Sequence, residues 1–382
     1  MDTQHEASEY EVGGLVAGYN RFGFELLRKL TDRYEGENVL LSPVSVASAL
    51  ALLYHGAGGS TRRAIGNVLW PGGASGEGIS RGNATLLSTF AGPDPRVRIM
   101  MACALWVNEG VSLNPAFLHL AGTFYKAEAA GVDFQSPRVV DVINRWAREQ
   151  TGGMIGELLE KNDLRAATES VLTNAVYFKG LWEVPFDKRE TRGGVFRLAS
   201  GGHKRVPMMS LPRPVERLYL EGDGFRAVSL EYGSGRFGMY FFLPDEDSNL
   251  KVFLGELNEV NWSRWLAGFD DARVELSLPR FESARGFDLT EVLSGMGLAV
   301  AFGGGADFSP MGLGRSFITR FKHKAAVEVN EEGAEAAAAT AVMVGRGIGM
   351  PVPFVVDRPF FWMIRDNEHG TILFTGVVAE PD

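Results

Sequence analysis

The chain of 382 residues contains one cysteine, Cys103, so it can form no internal disulfide. Cys103 lies between two alanines in an apolar run, which is typical of a small core residue; a cysteine nucleophile is the alternative. No apolar run reaches membrane-spanning length, and the first residues have neither the basic region nor the apolar stretch of a secretory signal. We therefore expect a cytoplasmic protein, or an extracellular one if the chain is a processed form.

Positive charge is scarce relative to negative charge. The chain has 38 Lys and Arg against 47 Asp and Glu, which gives a formal net charge of −9. This balance disfavours general binding to nucleic acid or to anionic membranes, and we expect neither as a partner. The composition, 45% hydrophobic and 22% charged, is that of an ordinary globular protein with a large core.

Motifs of the common enzyme classes are also absent. The six histidines form no H-E-x-x-H or H-x-E pattern, and the chain has no G-x-S-x-G nucleophile elbow and no G-x-x-x-x-G-K phosphate loop. The run Gly345–Gly349 is superficially similar to a dinucleotide-binding loop, but it lacks the third spacing and leads to a proline where a helix should begin. The sequence therefore predicts no catalytic residue, no metal site and no cofactor.

The segment from 331 to 350 is the most informative part of the chain. An alternating run typical of a strand, Lys324–Val329, precedes it, and a β-rich block, Pro353–Ile364, follows it, so about twenty residues connect two strands. Four consecutive alanines in its first half favour helix, whereas three spaced glycines in its second half favour an exposed turn. One interpretation is a surface helix with a flexible linker. The other is a conformational switch that can become a strand.

Several motifs follow one another along the chain in a fixed order. They are Asn38–Ser45, Thr173–Trp182, Val206–Met209, Phe241–Pro244 and Ala306–Ser309, with a strand–turn–strand pattern at 361–376. Their order and content resemble those of the serpin family over nearly the whole chain. The resemblance implies an α+β serpin fold with three β-sheets, eight to nine helices and an exposed reactive centre loop. It also implies a single domain over residues 1–382, with the loop at about 331–353.

In this family a serine protease cuts the exposed loop, and the loop then inserts into the central sheet and traps the acyl-enzyme. The resemblance therefore implies a suicide-substrate inhibitor, not an enzyme, that is monomeric and metastable. Its partners would be trypsin-, chymotrypsin-, elastase- or subtilisin-like proteases. A non-inhibitory serpin with a ligand-binding, storage or chaperone role is the alternative. The segment 72–93, where some relatives carry a basic heparin-binding helix, has Arg81 as its only cation, so we expect no heparin cofactor.

The residues after Glu331 and Gly333 match the family's hinge and distinguish these two functions. If they insert as a strand, alternate side chains face the interior. The inward set is Ala334, Ala336, Ala338 and Thr340. All four are small, and the charge of Glu335 falls on the outward set, so insertion carries little steric or desolvation cost. This pattern is typical of an inhibitory hinge; Ala334 replaces the more common Thr or Ser, which we expect to affect rate rather than mechanism.

The position of the cut in the loop stays open. Relatives are usually cleaved after the fourteenth residue beyond the hinge glycine, which here gives the bond Gly347–Ile348. Arg346, one residue earlier, would suit a trypsin-like pocket with a buried carboxylate. Met350 is a third possibility, for chymotrypsin-like or subtilisin-like enzymes, as is Met343.

Two further groups of residues match positions of the family that control insertion. Ser42, Ser45, Asn174 and His323 match a buried polar cluster beneath the central sheet; a histidine in the core with no role in switching is the alternative for His323. Trp182 matches an aromatic residue at the point where insertion of the loop begins, a site that is called the breach in this family. Arg280 matches the cation that pairs with the hinge carboxylate, Glu331, and such an exposed pair would contribute only about 0.5 kcal/mol.

Overall fold

The structure is a computed structural model that describes residues 2–73, 75–92, 94–165, 167–211, 213–332 and 350–381. This part of the chain contains nine α-helices. They are α1 (Asp2–Arg33), α2 (Pro43–Gly56), α3 (Gly59–Leu69), α4 (Gly76–Phe90), α5 (Pro115–Tyr125), α6 (Val139–Gln150), α7 (Leu250–Glu256), α8 (Glu259–Ala267) and α9 (Thr290–Leu293). Within the described ranges, no helix is long and apolar enough to cross a membrane.

Fifteen β-strands accompany these helices. They are β1 (Val39–Leu41), β2 (Val97–Asn108), β3 (Glu128–Val132), β4 (Ser170–Gly180), β5 (Arg192–Arg197), β6 (His203–Ser210), β7 (Val215–Glu221), β8 (Phe225–Tyr232), β9 (Phe237–Pro244), β10 (Asp270–Pro279), β11 (Phe281–Asp288), β12 (Arg320–Val329), β13 (Val352–Val355), β14 (Phe360–Asp366) and β15 (Ile372–Val378). The expected strands on either side of residues 331–350 are therefore present as β12 and β13.

The strands form two hydrogen-bonded sheets in the described part of the chain. A ten-stranded sheet has the order β1-β15-β14-β9-β8-β7-β10-β6-β5, with β13 paired to β10, and a five-stranded sheet has the order β11-β12-β4-β2-β3. The expected α+β class is confirmed. The described strands form two sheets rather than the expected three. The reason is that β10 pairs with β7 through its first half and with β6 through its last residues, which joins the strands on its two sides into one continuous sheet.

In the five-stranded sheet, β4 is buried on both faces, which explains its nearly continuous apolar sequence, whereas buried and less buried residues alternate along the first half of β12. On β4, Leu172, Val176 and Phe178 contribute to the main hydrophobic core. Val171, Ala175 and Tyr177 point to the other face and join a smaller core. In that smaller core, Trp146 of α6 packs edge-on against Trp106 of β2. The sheet therefore lies between α2 on one side and α6 on the other.

Helix α2 carries the first polar residues of interest into the main core. Pro43 occupies its first turn, where proline is favoured, and almost every residue of the helix is buried. A serine directly before such a proline would ordinarily cap the helix with its side-chain oxygen. Ser42 does hold the N-cap position, with extended backbone angles, but its hydroxyl makes no capping hydrogen bond. The Ser42 Oγ is buried and has no hydrogen-bond partner.

Cys103 lies on β2, directly beside Asn174 of β4. Its burial raises the pKa of the thiol to about 12, and a hydrogen bond with Asn174 offsets part of this effect. The thiol is therefore protonated at neutral pH, and a thiolate is the form that acts as a nucleophile. This supports the interpretation of Cys103 as a small packing residue.

Candidate functional site

The candidate site is the contact between β4 and β12, which we call the seam. The two strands run parallel, and their register pairs extend from Val171–Arg320 to Phe178–Val327. Their outer neighbours, β2 and β11, pair with them antiparallel. Parallel pairing is slightly less stable per residue than antiparallel pairing. The seam is thus the parallel contact at the centre of this sheet.

The seam ends before its strands do. Its last register pair is Phe178 with Val327, whereas β4 continues to Gly180 and β12 to Val329. On its far side, β12 remains paired with β11 up to Val329. At the end that leads into residues 330–351, the two strands of the seam are therefore not paired with each other, and other contacts must connect them there.

Trp182 makes one of these contacts. Its indole Nε1 donates a hydrogen bond of 2.8 Å to the carbonyl oxygen of Asn330, just beyond β12. The indole ring stacks on the ring of Tyr232, with 4.1 Å between the ring centroids and an angle of 13° between the ring planes. Gly180 permits this arrangement, because a Cβ at that position would lie 2.6 Å from the Tyr232 ring. The segment after β4 is in this way tied to the segment after β12.

Glu331 makes the second contact, and it is buried rather than exposed. Its side chain is 4% exposed, and Oε1 accepts a 2.7 Å hydrogen bond from the Thr191 hydroxyl. The predicted partner, Arg280, has its guanidinium 3.9 Å from Oε2 and is itself half exposed. The Glu331 carbonyl also accepts from the backbone N–H of Phe186 at 3.0 Å. The expectation of a weak, exposed pair is therefore wrong, because Thr191 and the surrounding backbone enclose the carboxylate.

The four residues predicted to form a polar cluster do lie together beneath the seam. Asn174 and His323 are direct register partners across it. The hydroxyl of Ser45 donates to Oδ1 of Asn174 at 2.9 Å, and the Asn174 amide donates to the Ser45 carbonyl at 3.4 Å. The backbone N–H of Ser42 donates to Nε2 of His323 at 3.1 Å. These bonds connect both strands of the seam to α2.

The hydrogen bonds fix the tautomer of His323. Because the Ser42 N–H donates to Nε2, that nitrogen carries no proton, so Nδ1–H is the donor in the 2.7 Å bond to Oδ1 of Asn174. Burial lowers the pKa of His323 to about 3. Protonation of Nε2 would place two donors against each other, so a charged His323 is incompatible with this cluster.

This geometry predicts a loss of stability in mild acid. The pKa of His323 is about 3 in the native state and about 6.5 for an unperturbed imidazole. Between these two pH values the imidazole is protonated in the unfolded chain but not in the native protein. The contribution of His323 to the free energy of unfolding is therefore fully present above pH 6.5, and it falls by up to about 1.4 kcal/mol per pH unit as the pH decreases toward 3. We expect the urea midpoint to decrease from pH 7.5 to pH 4.5, and to decrease less in His323→Gln.

A second histidine, the half-buried His55, acts in the same pH range, and its contribution to the pH dependence must be separated from that of His323. Burial, with a smaller effect of Arg62, lowers the pKa of His55 to about 4. His55→Gln should therefore remove its own part of the pH dependence. His119→Gln, at an exposed position of α5, serves as the control and should leave the dependence unchanged. An identical pH dependence in wild type and His323→Gln would contradict the assignment.

Most of the predicted loop residues lie outside the described residues. Gly333, Ala334, Ala336, Ala338 and Thr340 of the hinge do so, as do Arg346, Gly347 and Ile348 at the predicted cut. Met350 is described and is 92% exposed. It lies two residues before β13, which is paired with β10. A protease must hold its substrate chain extended, so a cut after Met350 would require this strand to loosen.

Four residues that hold β12 or the segments at the end of the seam were not predicted from the sequence. Thr191 and Tyr232 hold Glu331 and Trp182, respectively. On the α6 side, Lys322 of β12 forms a 2.5 Å ion pair with Asp163, in the segment after α6. Lys324 donates to the carbonyl of Glu157 in the same segment at 2.6 Å. The alternation of Lys322 and Lys324 with apolar residues was a signal that both point to one face, but the sequence does not indicate their partners.

The enclosure of Glu331 predicts a large effect of reversing its charge. Glu331→Lys places an ammonium group close to Arg280 and removes the acceptor of Thr191, so the end of β12 should be released. Loss of a buried hydrogen-bonded carboxylate costs about 1–3 kcal/mol. We expect premature insertion and polymerisation, measured by size-exclusion chromatography as loss of monomer on warming.

The control for this variant is a charge reversal of equal size elsewhere. Glu275 is exposed on β10, and Glu275→Lys should remain monomeric under the same conditions. Thr191→Val, which keeps the carboxylate but removes its donor, should give an intermediate loss. Monomer content of Glu331→Lys equal to that of the wild type would contradict the role of the carboxylate.

Comparison with known proteins establishes the family. The family profile described as "Serpin (serine protease inhibitor)" matches residues 17–381. The chain is 34% identical to Serpin-Z7 of Hordeum vulgare over 387 residues, which covers 96% of each chain. The chain therefore belongs to the serpin family, as its motifs indicated.

Solved structures agree with this assignment. The structure titled "Arabidopsis AtSerpin1. Native Stressed Conformation" is 29% identical and superposes with a TM-score of 0.87, covering 97% of this chain and 98% of that one. Native protease nexin-1 with heparin is 25% identical with a TM-score of 0.88, covering 97% and 100%. The fold of the described residues is thus that of the family over almost its full length.

Proposed function

We propose that the protein is a suicide-substrate inhibitor of serine proteases. The observation that carries this proposal is the seam, in which β4 and β12 are direct neighbours with eight register pairs between them. Directly after β12, the connection of about twenty residues to β13 supplies enough chain for one more strand. A strand from this connection must turn back along β12, and it would run antiparallel to β12 and therefore to β4.

Insertion is energetically favourable by a simple count. It replaces one parallel ladder by two antiparallel ladders, each of which is at least as stable per residue. Roughly a dozen additional hydrogen bonds, at about 1 kcal/mol each, would be gained. Serpin loop insertion is an established example of such strand addition. The native form is then a kinetically trapped state of higher free energy.

The reaction begins as ordinary proteolysis. The protease serine attacks the scissile carbonyl of the loop and forms an acyl-enzyme, and the new amino terminus leaves. Insertion of the loop then draws the bound protease along the sheet. If this distorts the oxyanion hole of the protease, deacylation loses about 3 kcal/mol or more of transition-state stabilisation and effectively stops. The covalent complex is the product.

One experiment tests this function and locates the cut. The protein is incubated with trypsin, chymotrypsin, elastase and subtilisin, and denaturing gels are examined for a covalent complex. Mass spectrometry of the released fragment gives its first residue, which is 347 for a cut after Arg346, 348 after Gly347 and 351 after Met350. If trypsin cuts after Arg346, Arg346→Ala should abolish the trypsin complex and leave a complex with any of the other proteases unchanged.

The outcomes separate the two proposed roles. A complex that resists denaturation supports inhibition, whereas cleavage in the loop with no complex from any of the four proteases would contradict it and would favour the non-inhibitory alternative. The expected monomer, the cytoplasmic location and the independence from heparin remain predictions. Heparin is tested by adding it to the same reactions, where we expect no change in the rate of complex formation.

A further inference from the structure

Four exposed charged residues form a row across the five-stranded sheet, at the end of the seam that leads into residues 330–351. We call them the charge row. In the order of the strands they are Arg98 on β2, Lys179 on β4, Glu328 on β12 and Glu282 on β11. Two cations therefore lie on one side of the seam, and two carboxylates lie on the other.

The register of the strands determines this order. Arg98 and Lys179 are direct register partners of β2 and β4. Glu282 and Glu328 are direct register partners of β11 and β12. The last register pair of the seam directly precedes Lys179 on β4 and Glu328 on β12. Like charges thus oppose each other within each pair, and opposite charges face each other across the seam.

The charge row lies on the face of the sheet that α6 covers. Tyr177 and Ala326, two residues before the row on either side of the seam, belong to the smaller core beneath α6. Side chains alternate along a strand, so the row points to this same face. Burial raises the pKa of the Tyr177 hydroxyl; the charge of Glu328 raises it further, that of Arg98 lowers it, and that of Glu282 raises it. These charges therefore act on one small region of the surface.

In the described part of the chain, no ion pair neutralises the charge row. Glu328 accepts a 2.6 Å hydrogen bond from the side-chain amide of Asn330. Within the same ranges, the side chains of Arg98, Lys179 and Glu282 have no hydrogen-bond or ion-pair partner. Like charges directly opposite each other on neighbouring strands are destabilising. This cost is the same whether the seam is open or closed, whereas the attraction between the two sides weakens when β4 and β12 separate.

We infer that the charge row is an electrostatic clasp that keeps this end of the seam closed in the intact protein. A strand entering the seam would move β4 and β12 from about 4.8 Å apart to about twice that distance. The attraction between opposite charges decreases with their separation. The clasp acts on the face of the sheet toward α6, and the polar cluster of Ser45, Asn174 and His323 acts on the face toward α2. The clasp is a property of the intact chain, so it does not depend on the proposed inhibitory function.

The test is amide hydrogen exchange of the intact protein, followed by mass spectrometry over β4 and β12, with β9 and β14 as the internal reference. Amides that are bonded across the seam exchange when the seam opens locally. Relative to the reference, we expect the seam of the wild type to exchange about twofold faster in about 1 M sodium chloride than in about 20 mM, because salt screens exposed charges.

Reversal of one charge in the row should have a larger effect. Lys179→Glu replaces attraction across the seam by repulsion, so we expect about fivefold faster exchange of the seam at low salt. Glu328→Lys should act in the same way. The double variant with both changes restores opposite signs across the seam, and it should exchange at the wild-type rate. Arg205→Glu, at an exposed position of β6 in the other sheet, is the matched control and should leave the seam unchanged.

Thermal unfolding of each variant shows whether it is folded. The comparison of low and high salt uses the unaltered protein, so it decides the question even if a variant does not fold. Exchange of the wild-type seam that is independent of salt, a folded Lys179→Glu that exchanges like the wild type, or a folded double variant that exchanges as fast as the single ones would each overturn the inference. No protease is present in these measurements, so failure here is distinguishable from failure of the proposed function.

Discussion

Ala338→Glu is expected to convert the protein from an inhibitor into a substrate of its target protease. Position 338 belongs to the set of hinge residues predicted to face inward, so insertion would carry a carboxylate into the main core beneath the seam. An unpaired buried charge costs several kcal/mol, which exceeds the gain of about 1 kcal/mol from each of the few hydrogen bonds that form as the strand passes this residue. Insertion should therefore stop at this residue, and the acyl-enzyme should be hydrolysed before the protease is moved.

The measurement is the partition between covalent complex and cleaved, released protein on a denaturing gel. Ala337→Glu is the matched control, since it adds the same charge one residue earlier, on the outward set, where Glu335 is already present. We expect complex to disappear in Ala338→Glu and to persist in Ala337→Glu. Equal yields of complex from the two variants would show that the alternation does not govern insertion.

Cleavage of the loop in the isolated protein is expected to raise its melting temperature greatly. A protease that cuts the loop without being trapped leaves the chain free to insert. Roughly a dozen hydrogen bonds at about 1 kcal/mol each correspond to an increase of about 10 °C or more for a chain of this size. Thermal unfolding of intact and cut protein, followed by circular dichroism, provides the measurement.

Ala338→Glu again supplies the control for this second prediction. When this variant is cut at the same bond, its melting temperature should remain close to that of the intact protein, because the charged residue blocks insertion. A large increase in the variant would mean that the stabilisation arises from something other than insertion into the seam. No increase in the wild type would mean that the intact form is not metastable.

The sequence predicted the fold class and the polar cluster, because both depend on long ordered motifs. Asn174 and His323 were placed together from the family pattern, and the register of β4 and β12 makes them neighbours. The count of sheets was not predictable in the same way. It depends on whether β10 pairs with both β6 and β7, and strand pairing over such separations leaves no local signal in a sequence.

The hydrogen-bond partners of Glu331 could not be predicted from the sequence. Thr191 lies 140 residues earlier in the chain, and nothing in its local sequence indicates that its hydroxyl meets the hinge carboxylate. Ser42 is a further case, because its hydroxyl makes no capping hydrogen bond and its backbone N–H donates to His323 of β12, a contact that the local sequence does not indicate. Contacts of this kind follow from the tertiary approach of distant segments, whereas helix starts and strand alternation follow from local residues.

The most direct test of the account is amide hydrogen exchange of the loop before and after it is cut, with β12 as the internal reference. Insertion places the backbone amides of the hinge in ladders with β4 and β12. We predict that the amides of residues 334–345 become as slow to exchange as those of β12 once the loop is severed. If, after the cut, they exchange as fast as those of an unstructured peptide, no strand has entered the seam and the proposed mechanism is wrong.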